Sequence, residues 1–120
     1  MASIFVIEDE ELILEDVVLI LQLNGFNAEG TPYPKEGVQK VIDNPPDLVL
    51  CDISMPVMDG FEVLKALREK LGDDMPPFVF CTAMTSDEAV TQGYKLGASD
   101  YLKKPFSESQ LITTVKKFLA

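Results

Sequence analysis

The sequence has 120 residues, 47% of them hydrophobic, and its 20 acidic and 10 basic residues give a formal net charge of −10. This is enough apolar material for one core, so we expect a single domain over residues 1–120, while so negative a surface argues against direct contact with nucleic acid. No apolar run is long enough to cross a membrane, so we expect a cytoplasmic protein without membrane contact.

Short strand-like runs alternate with longer helix-like runs along the chain. The strand-like runs cover residues 3–7, 26–29, 48–51, 78–81 and 99–102. The helix-like runs cover residues 10–23, 34–43, 60–71, 87–96 and 108–119. Five such repeats with short connections predict an α/β fold, in which helices cover both faces of a parallel sheet.

Local signals mark where several of these helices begin. Pro34 is suited to a first helical turn. Asp59 with Glu62, and Ser107 with Gln110, have the spacing of a capping box, in which each side chain satisfies a backbone N–H of the other residue. We therefore expect helices to begin directly after Asp59 and Ser107.

Reactive side chains follow four of the predicted strands. Glu8 and Asp9 follow the first strand, Asp52 the third and Thr82 the fourth, and Lys104 lies just beyond the fifth. Ligands of such sheets bind outside the carboxyl ends of the strands. Crowded carboxylates repel one another unless a cation joins them, and Mg²⁺ prefers oxygen ligands. Each residue alone has an ordinary explanation as a cap or surface charge, but their coincidence at strand ends favours one site for Mg²⁺ and a phosphoryl group.

Four stretches carry a resemblance to a known family. They are VIEDE (residues 6–10), DLVLCDISMPVMDG (47–60), CTA (81–83) and GASDYLKKPF (97–106). Together they resemble the receiver domain of two-component response regulators, over essentially the whole chain. The resemblance implies a doubly wound, flavodoxin-like (β/α)5 fold with strand order 2-1-3-4-5, and a regulatory role rather than that of an enzyme.

The resemblance also assigns roles around the third strand. Asp52 corresponds to the phosphoacceptor, a carboxylate nucleophile that attacks the phosphohistidine of a sensor histidine kinase or a histidine phosphotransfer protein. Glu8, Asp9, Asp52 and the backbone carbonyl of Ser54 correspond to the ligands of Mg²⁺. The commonest pattern has two aspartates where this chain has Glu8 and Asp9. The number of carboxylates is unchanged, so we expect metal binding to persist.

The switch residues are likewise implied by the resemblance. Thr82 and Lys104 would hold the phosphoryl group, and the peptide between Lys104 and Pro105 is expected to be cis. Thr82 would then move toward the phosphoryl group while Tyr101 turns inward, which changes the surface of the fourth helix, fifth strand and fifth helix. Further partners would be an output domain or a second copy of the chain.

Other functions are weaker interpretations of the same sequence. A flavin-binding module of this fold needs phosphate donors after the first strand, where residues 8–11 are all acidic and repel phosphate. A receiver-like scaffold should have lost a key group, yet Asp52, Thr82 and Lys104 are all present. Hydrolase activity is expected only in the limited sense that an aspartyl phosphate is lost to water.

Three further features have more than one interpretation. The first helix is apolar nearly all round, so we expect Val18 and Leu19 to be partly exposed, either for kinase docking or a dimer contact or as scattered surface hydrophobics. Gly93 weakens the fourth helix by about 1 kcal/mol relative to alanine, which indicates either a mobile switch helix or close packing. Cys51 and Cys81 are expected to be reduced core residues.

Overall fold

The computed structural model describes residues 1–119, in which five strands alternate with five α-helices. Strands β1 to β5 cover Ser3–Ile7, Asn27–Thr31, Leu48–Cys51, Phe78–Thr82 and Asp100–Lys103. Helices α1 to α5 cover Glu11–Leu23, Pro34–Asp43, Gly60–Leu71, Asp87–Leu96 and Glu108–Phe118, and one 3-10 turn covers Gly72–Asp74. The predicted alternation is confirmed. None of these described helices is long and apolar enough to span a bilayer.

The five strands form one parallel sheet in the order β2-β1-β3-β4-β5, which confirms the predicted topology. Strands β3 and β4 are buried along their whole length, as their continuous apolar sequences predict. On one face of the sheet, α1 and α5 contribute core residues such as Leu21 and Leu111. On the other face, α2 and α3 contribute Val41 and Leu64. From β1 the chain adds β2 on one side of the sheet and then β3, β4 and β5 on the other. Because the direction of strand addition changes between β1 and β3, a crevice is expected at the carboxyl ends of these two strands.

Both predicted capping boxes are present and fix the helices that follow the site loops. The N–H of Glu62 donates to Asp59 Oδ1 at 2.9 Å, and the N–H of Asp59 donates back to Glu62 Oε1 at 3.2 Å. Ser107 and Gln110 make the equivalent pair of bonds at the start of α5. The peptide between Lys104 and Pro105 is cis, as expected. The two capping boxes define where the loops after β3 and β5 enter their helices.

The first helix has one fully buried stripe and several exposed leucines. Leu14, Val17 and Leu21 are buried against the sheet. Leu19 is 53% exposed, whereas Val18 is only partly buried and packs against the core. The predicted partial exposure of both residues is confirmed. Cys51 and Cys81 are free and buried, as predicted.

Candidate functional site

Backbone pairing brings the predicted site residues to one edge of the sheet. Ile7 of β1 lies opposite Cys51 of β3, and the next residue of each strand is Glu8 and Asp52. The N–H of Asp52 donates to the carbonyl of Ile7 at 3.0 Å, so pairing continues to the strand end. The N–H of Lys104 donates to the carbonyl of Thr82 at 3.0 Å, which places the end of β5 beside that of β4.

Three carboxylates form a compact cluster at this edge. One oxygen from each of Glu8, Asp9 and Asp52 lies within 4.8 Å of the others. Glu8 and Asp52 are only 4% and 7% exposed. Asp9 Oδ1 is buried and has no hydrogen-bond partner among the described residues. Leaving a buried carboxylate oxygen unpaired is unfavourable, and an oxygen-lined acidic cluster is the donor set that Mg²⁺ prefers. These residues therefore fit a divalent cation.

The Lys104 ammonium group lies between two members of the cluster. Its Nζ donates to Glu8 Oε1 and, at 3.1 Å, to Asp52 Oδ2. Burial raises the pKa of Glu8 to about 7 and the Asp52 charge adds to the rise, although the Lys104 hydrogen bond acts in the opposite direction. Burial lowers the pKa of Lys104, but its bonds to Glu8 and Asp52 raise it above the usual value. Lys104 is therefore the cation that offsets the buried carboxylates.

The carboxylate of Asp52 is held by its own loop as well. Asp52 Oδ1 accepts a 2.7 Å hydrogen bond from the N–H of Ile53. Gly60 closes this loop, because its N–H donates to the carbonyl of Ile53 at 2.8 Å. A β-carbon at Gly60 would lie 2.8 Å from Ile53 Cα and even closer to the Asp52 carbonyl oxygen. Gly60 is thus a positioning residue that sequence reasoning missed, although the Asp59-Gly60 pair was visible.

The other predicted site residues lie in or directly after strands β3, β4 and β5. Thr82 is 1% exposed, and its Oγ1 accepts from the N–H of Met84 at 3.0 Å, which leaves its own hydroxyl hydrogen free to be donated. Ser54 is exposed, and its hydroxyl faces Met84 Sδ at 3.9 Å. The Tyr101 hydroxyl donates to the carbonyl of Ala89 in α4 at 2.8 Å. The metal-ligand role of the Ser54 carbonyl remains a prediction.

Comparison with known proteins decides the family. The model of the response regulator receiver domain matches residues 4–116. The chain belongs to the response regulator receiver family. The family is regulatory, and its phosphorylation on aspartate is typical. This confirms the family that was predicted from the four sequence stretches.

The receiver is similar to several known proteins over nearly its whole length. It is 35% identical to the response regulator MprA of Mycobacterium sp. (strain KMS), covering 97% of this chain and 50% of that protein. It is 34% identical to the transcriptional regulatory protein PrrA of Mycobacterium tuberculosis, with 97% and 49% covered. The chain spans about half the length of these relatives.

Solved structures of complete receivers agree with the fold. The chemotaxis response regulator CheY4 of Vibrio cholerae superimposes with a TM-score of 0.92, at 31% identity and with 98% of each chain covered. The beryllofluoride-activated DrrB receiver domain gives a TM-score of 0.87 at 28% identity, covering 99% of this chain and 97% of that one.

Proposed function

We propose that the receiver accepts a phosphoryl group on Asp52 from the phosphohistidine of a sensor histidine kinase or a histidine phosphotransfer protein. The observation that carries this proposal is the position of Asp52, which shares one carboxylate cluster with Glu8 and Asp9 and contacts the Lys104 ammonium group. A nucleophilic carboxylate beside both a cation and a metal-binding cluster matches the chemistry of phosphoryl transfer.

The residues that would hold Mg²⁺ are Glu8, Asp9, Asp52 and the carbonyl of Ser54. The unpaired buried oxygen of Asp9 supports this assignment, because a cation would satisfy it. When bound, the ion would neutralise negative charge between the carboxylates and the phosphoryl oxygens.

The chain's own groups account for the remaining steps. A carboxylate oxygen of Asp52 attacks phosphorus, a P–O bond forms, and the P–N bond breaks with its electron pair leaving on the donor imidazole. Lys104 offsets charge on the phosphoryl oxygens, and Thr82 donates its hydroxyl hydrogen to one of them. Water later attacks the acyl phosphate and releases phosphate, so the domain acts only on its own phosphoryl group.

The proposal extends to the signal that follows. Phosphorylation would pull Thr82 toward the new charge and turn Tyr101 inward, which alters the surface of α4, β5 and α5. The partner that responds would be an output domain or a second copy of the chain.

Residues 1–120 would form one domain that works in the cytoplasm, and the net charge of −10 supports the absence of direct contact with nucleic acid.

Phosphorylation by a small acyl phosphate donor tests the proposal. The parent protein and Asp73→Asn, which removes an exposed carboxylate outside the cluster, should each gain one phosphoryl group when Mg²⁺ is present. Asp52→Asn should gain none, and chelation of Mg²⁺ should prevent modification of the parent. Intact-protein mass measurement at acidic pH follows the reaction. Modification of Asp52→Asn at the parental rate, or indifference to chelation, would contradict the assignment.

A further inference from the structure

Two exposed apolar side chains occupy backbone positions that do not suit them. Tyr33 is the N-cap residue of α2, yet it makes no capping hydrogen bond with its side chain and is 61% exposed. Serine, threonine, aspartate and asparagine are preferred there, because their side chains satisfy an N–H of the first helical turn. The Tyr33 carbonyl accepts from the N–H of Gly37 at 2.9 Å, but the side chain contributes nothing to the start of the helix.

Val57 shows the same disagreement between residue and backbone. Its φ is 73°, and the N–H of Met58 donates to the carbonyl of Pro56 at 2.8 Å, so Val57 is the centre of a tight turn. A β-branched residue with positive φ is strained, and glycine or asparagine accepts this conformation more readily. Val57 is also 83% exposed, so burial does not compensate for the strain.

Both residues line one groove beside the acidic cluster. The groove has a volume of about 440 Å³, and its walls include Tyr33, Val57, Pro32, Pro34 and Pro56. Asp9 of the cluster and Glu11 of α1 complete the end nearest the site. Sequences depart from local preferences mainly where function requires it, and here two separate loops depart from them on one surface.

Part of the groove lies at the opposite edge of the sheet from Lys104. Residues Pro32 to Lys35 follow β2 at one edge of the sheet, whereas Lys104 follows β5 at the other. Asp9 belongs to both the groove and the carboxylate cluster, so the groove adjoins the site at which a phosphohistidine would reach Asp52.

We infer that the groove is a docking surface for the protein phosphodonor, which inserts an apolar side chain between Tyr33 and Val57 and presents a lysine or arginine to Glu11. The charge of the groove favours this occupant: with Asp9 assigned to Mg²⁺, Glu11 and the neighbouring, exposed Glu10 still outweigh the single cation Lys35. A second copy of this chain, with its net charge of −10, is the poorer electrostatic match. The inference rests on the proposed function and names the contact through which the donor is recognised.

The test uses two variants that remove the groove walls while improving the local backbone. Tyr33→Ser supplies a helix cap, and Val57→Gly accepts the positive φ, so neither should lower the melting temperature. The donors are a small acyl phosphate and the phosphorylated cytoplasmic part of one histidine kinase. To choose it, the histidine kinases of the source organism are compared side by side, and the one that transfers its phosphoryl group fastest to the parent protein is used.

Each variant should slow transfer from the kinase about tenfold, which corresponds to roughly 1.4 kcal/mol of lost interaction. Phosphorylation by the small donor should stay at the parental rate. Tyr33→Phe, which keeps the ring, should transfer like the parent. Glu11→Gln should slow only the kinase reaction, and the difference from the parent should shrink at high salt.

Several outcomes would overturn the inference. If both variants accept the phosphoryl group from the kinase at the parental rate, the groove does not take part in recognition of the donor. If the rate falls equally with the kinase and with the small donor, the substitution has altered the phosphorylation site itself. No transfer from any kinase to a parent that the small donor modifies would exclude a protein donor here. Self-association of the parent that both variants abolish would place a second copy in the groove. Failure of the proposed function would look different, because the parent would then gain no phosphoryl group from the small donor.

Discussion

The ring of Tyr101 lies against Gly93 of α4 so closely that a β-carbon on this glycine would be 2.9 Å from Tyr101 Cε2 and Cζ and nearer still to the hydroxyl oxygen. The hydroxyl passes the glycine and donates to the carbonyl of Ala89. The ring also packs against Phe80 of β4, with centroids 5.2 Å apart. The close packing that was one of the two interpretations of Gly93 is therefore present, and the switch role of α4 stays a prediction.

Replacing Gly93 with alanine should destabilise the protein even though alanine is the better helix former. The added methyl group overpacks the contact at a cost of about 1–3 kcal/mol, which offsets or exceeds the gain of roughly 1 kcal/mol in helix propensity. Urea unfolding measures the net change. In a Tyr101→Ala background the same substitution should instead stabilise the protein, and a loss of equal size in both backgrounds would show that Tyr101 is not the cause.

Activation should loosen the connection between β4 and α4. Thr82 Oγ1 now accepts from the N–H of Met84, and movement of the hydroxyl toward a phosphoryl group would break this bond. Addition of beryllofluoride with Mg²⁺ should therefore change amide hydrogen exchange in α4, measured by mass spectrometry. Thr82→Ala should bind beryllofluoride with little response in α4. Unchanged exchange in the parent protein would mean that the switch does not act through this helix.

Removal of Lys104 should make stability depend on Mg²⁺. Lys104→Ala leaves Glu8 and Asp52 buried beside Asp9 without a cation. Loss of one partner from a fully buried pair costs about 3–5 kcal/mol, and this site is partly open, so about 2 kcal/mol is expected when Mg²⁺ is chelated. Excess Mg²⁺ should restore more stability to the variant than to the parent. Lys65→Ala, which removes an exposed charge, serves as the control, and an equal loss with and without Mg²⁺ would contradict the prediction.

The phosphoryl lifetime should be long, because Met84 is apolar and is more suited to excluding water than to orienting it. Ser54 and Met84 each lie two residues beyond a predicted site residue, Asp52 and Thr82, and the Ser54 hydroxyl lies 3.9 Å from Met84 Sδ. We therefore expect the attacking water to pass beside these two side chains. General base assistance contributes roughly 100-fold or more when well aligned, so Met84→Glu should shorten the lifetime by about tenfold. Met84→Leu should leave it unchanged. Loss of label from phosphorylated protein gives the rate, and a longer lifetime in the glutamate variant would refute the argument.

Replacement by glutamate should have different effects at Leu19 and at Val18, two neighbouring residues of α1. Leu19 is 53% exposed, so Leu19→Glu should change stability by no more than about 0.5 kcal/mol. If α1 docks the kinase, this variant should transfer slowly from the kinase and normally from a small donor. Val18 packs against the core, so Val18→Glu should lower the melting temperature and impair both reactions. If Leu19→Glu changes neither the rate of transfer from the kinase nor the oligomeric state, Leu19 is one of the scattered hydrophobic residues of the surface.

The sequence by itself determined the order of elements, the buried strands and the candidate site. Apolar runs buried on both faces, helix caps such as Asp59 with Glu62, and polar residues at strand ends all depend on neighbours along the chain. Local signals of this kind are readable without knowledge of the fold. The parallel arrangement then requires that the strand ends meet, which is why Glu8, Asp9 and Asp52 could be grouped in advance.

Only the tertiary structure decided the features that depend on distant partners. Strand β2 extends through Gly30 and Thr31, which resemble turn residues in sequence, because they pair with Val6 and Ile7. The ion pair between Lys104 and Glu8 joins residues 96 positions apart, and the Gly93–Tyr101 contact joins a helix to a strand. The groove between Tyr33 and Val57 likewise joins two loops. Such contacts are set by how packed elements approach one another, and sequence spacing contains no record of that distance.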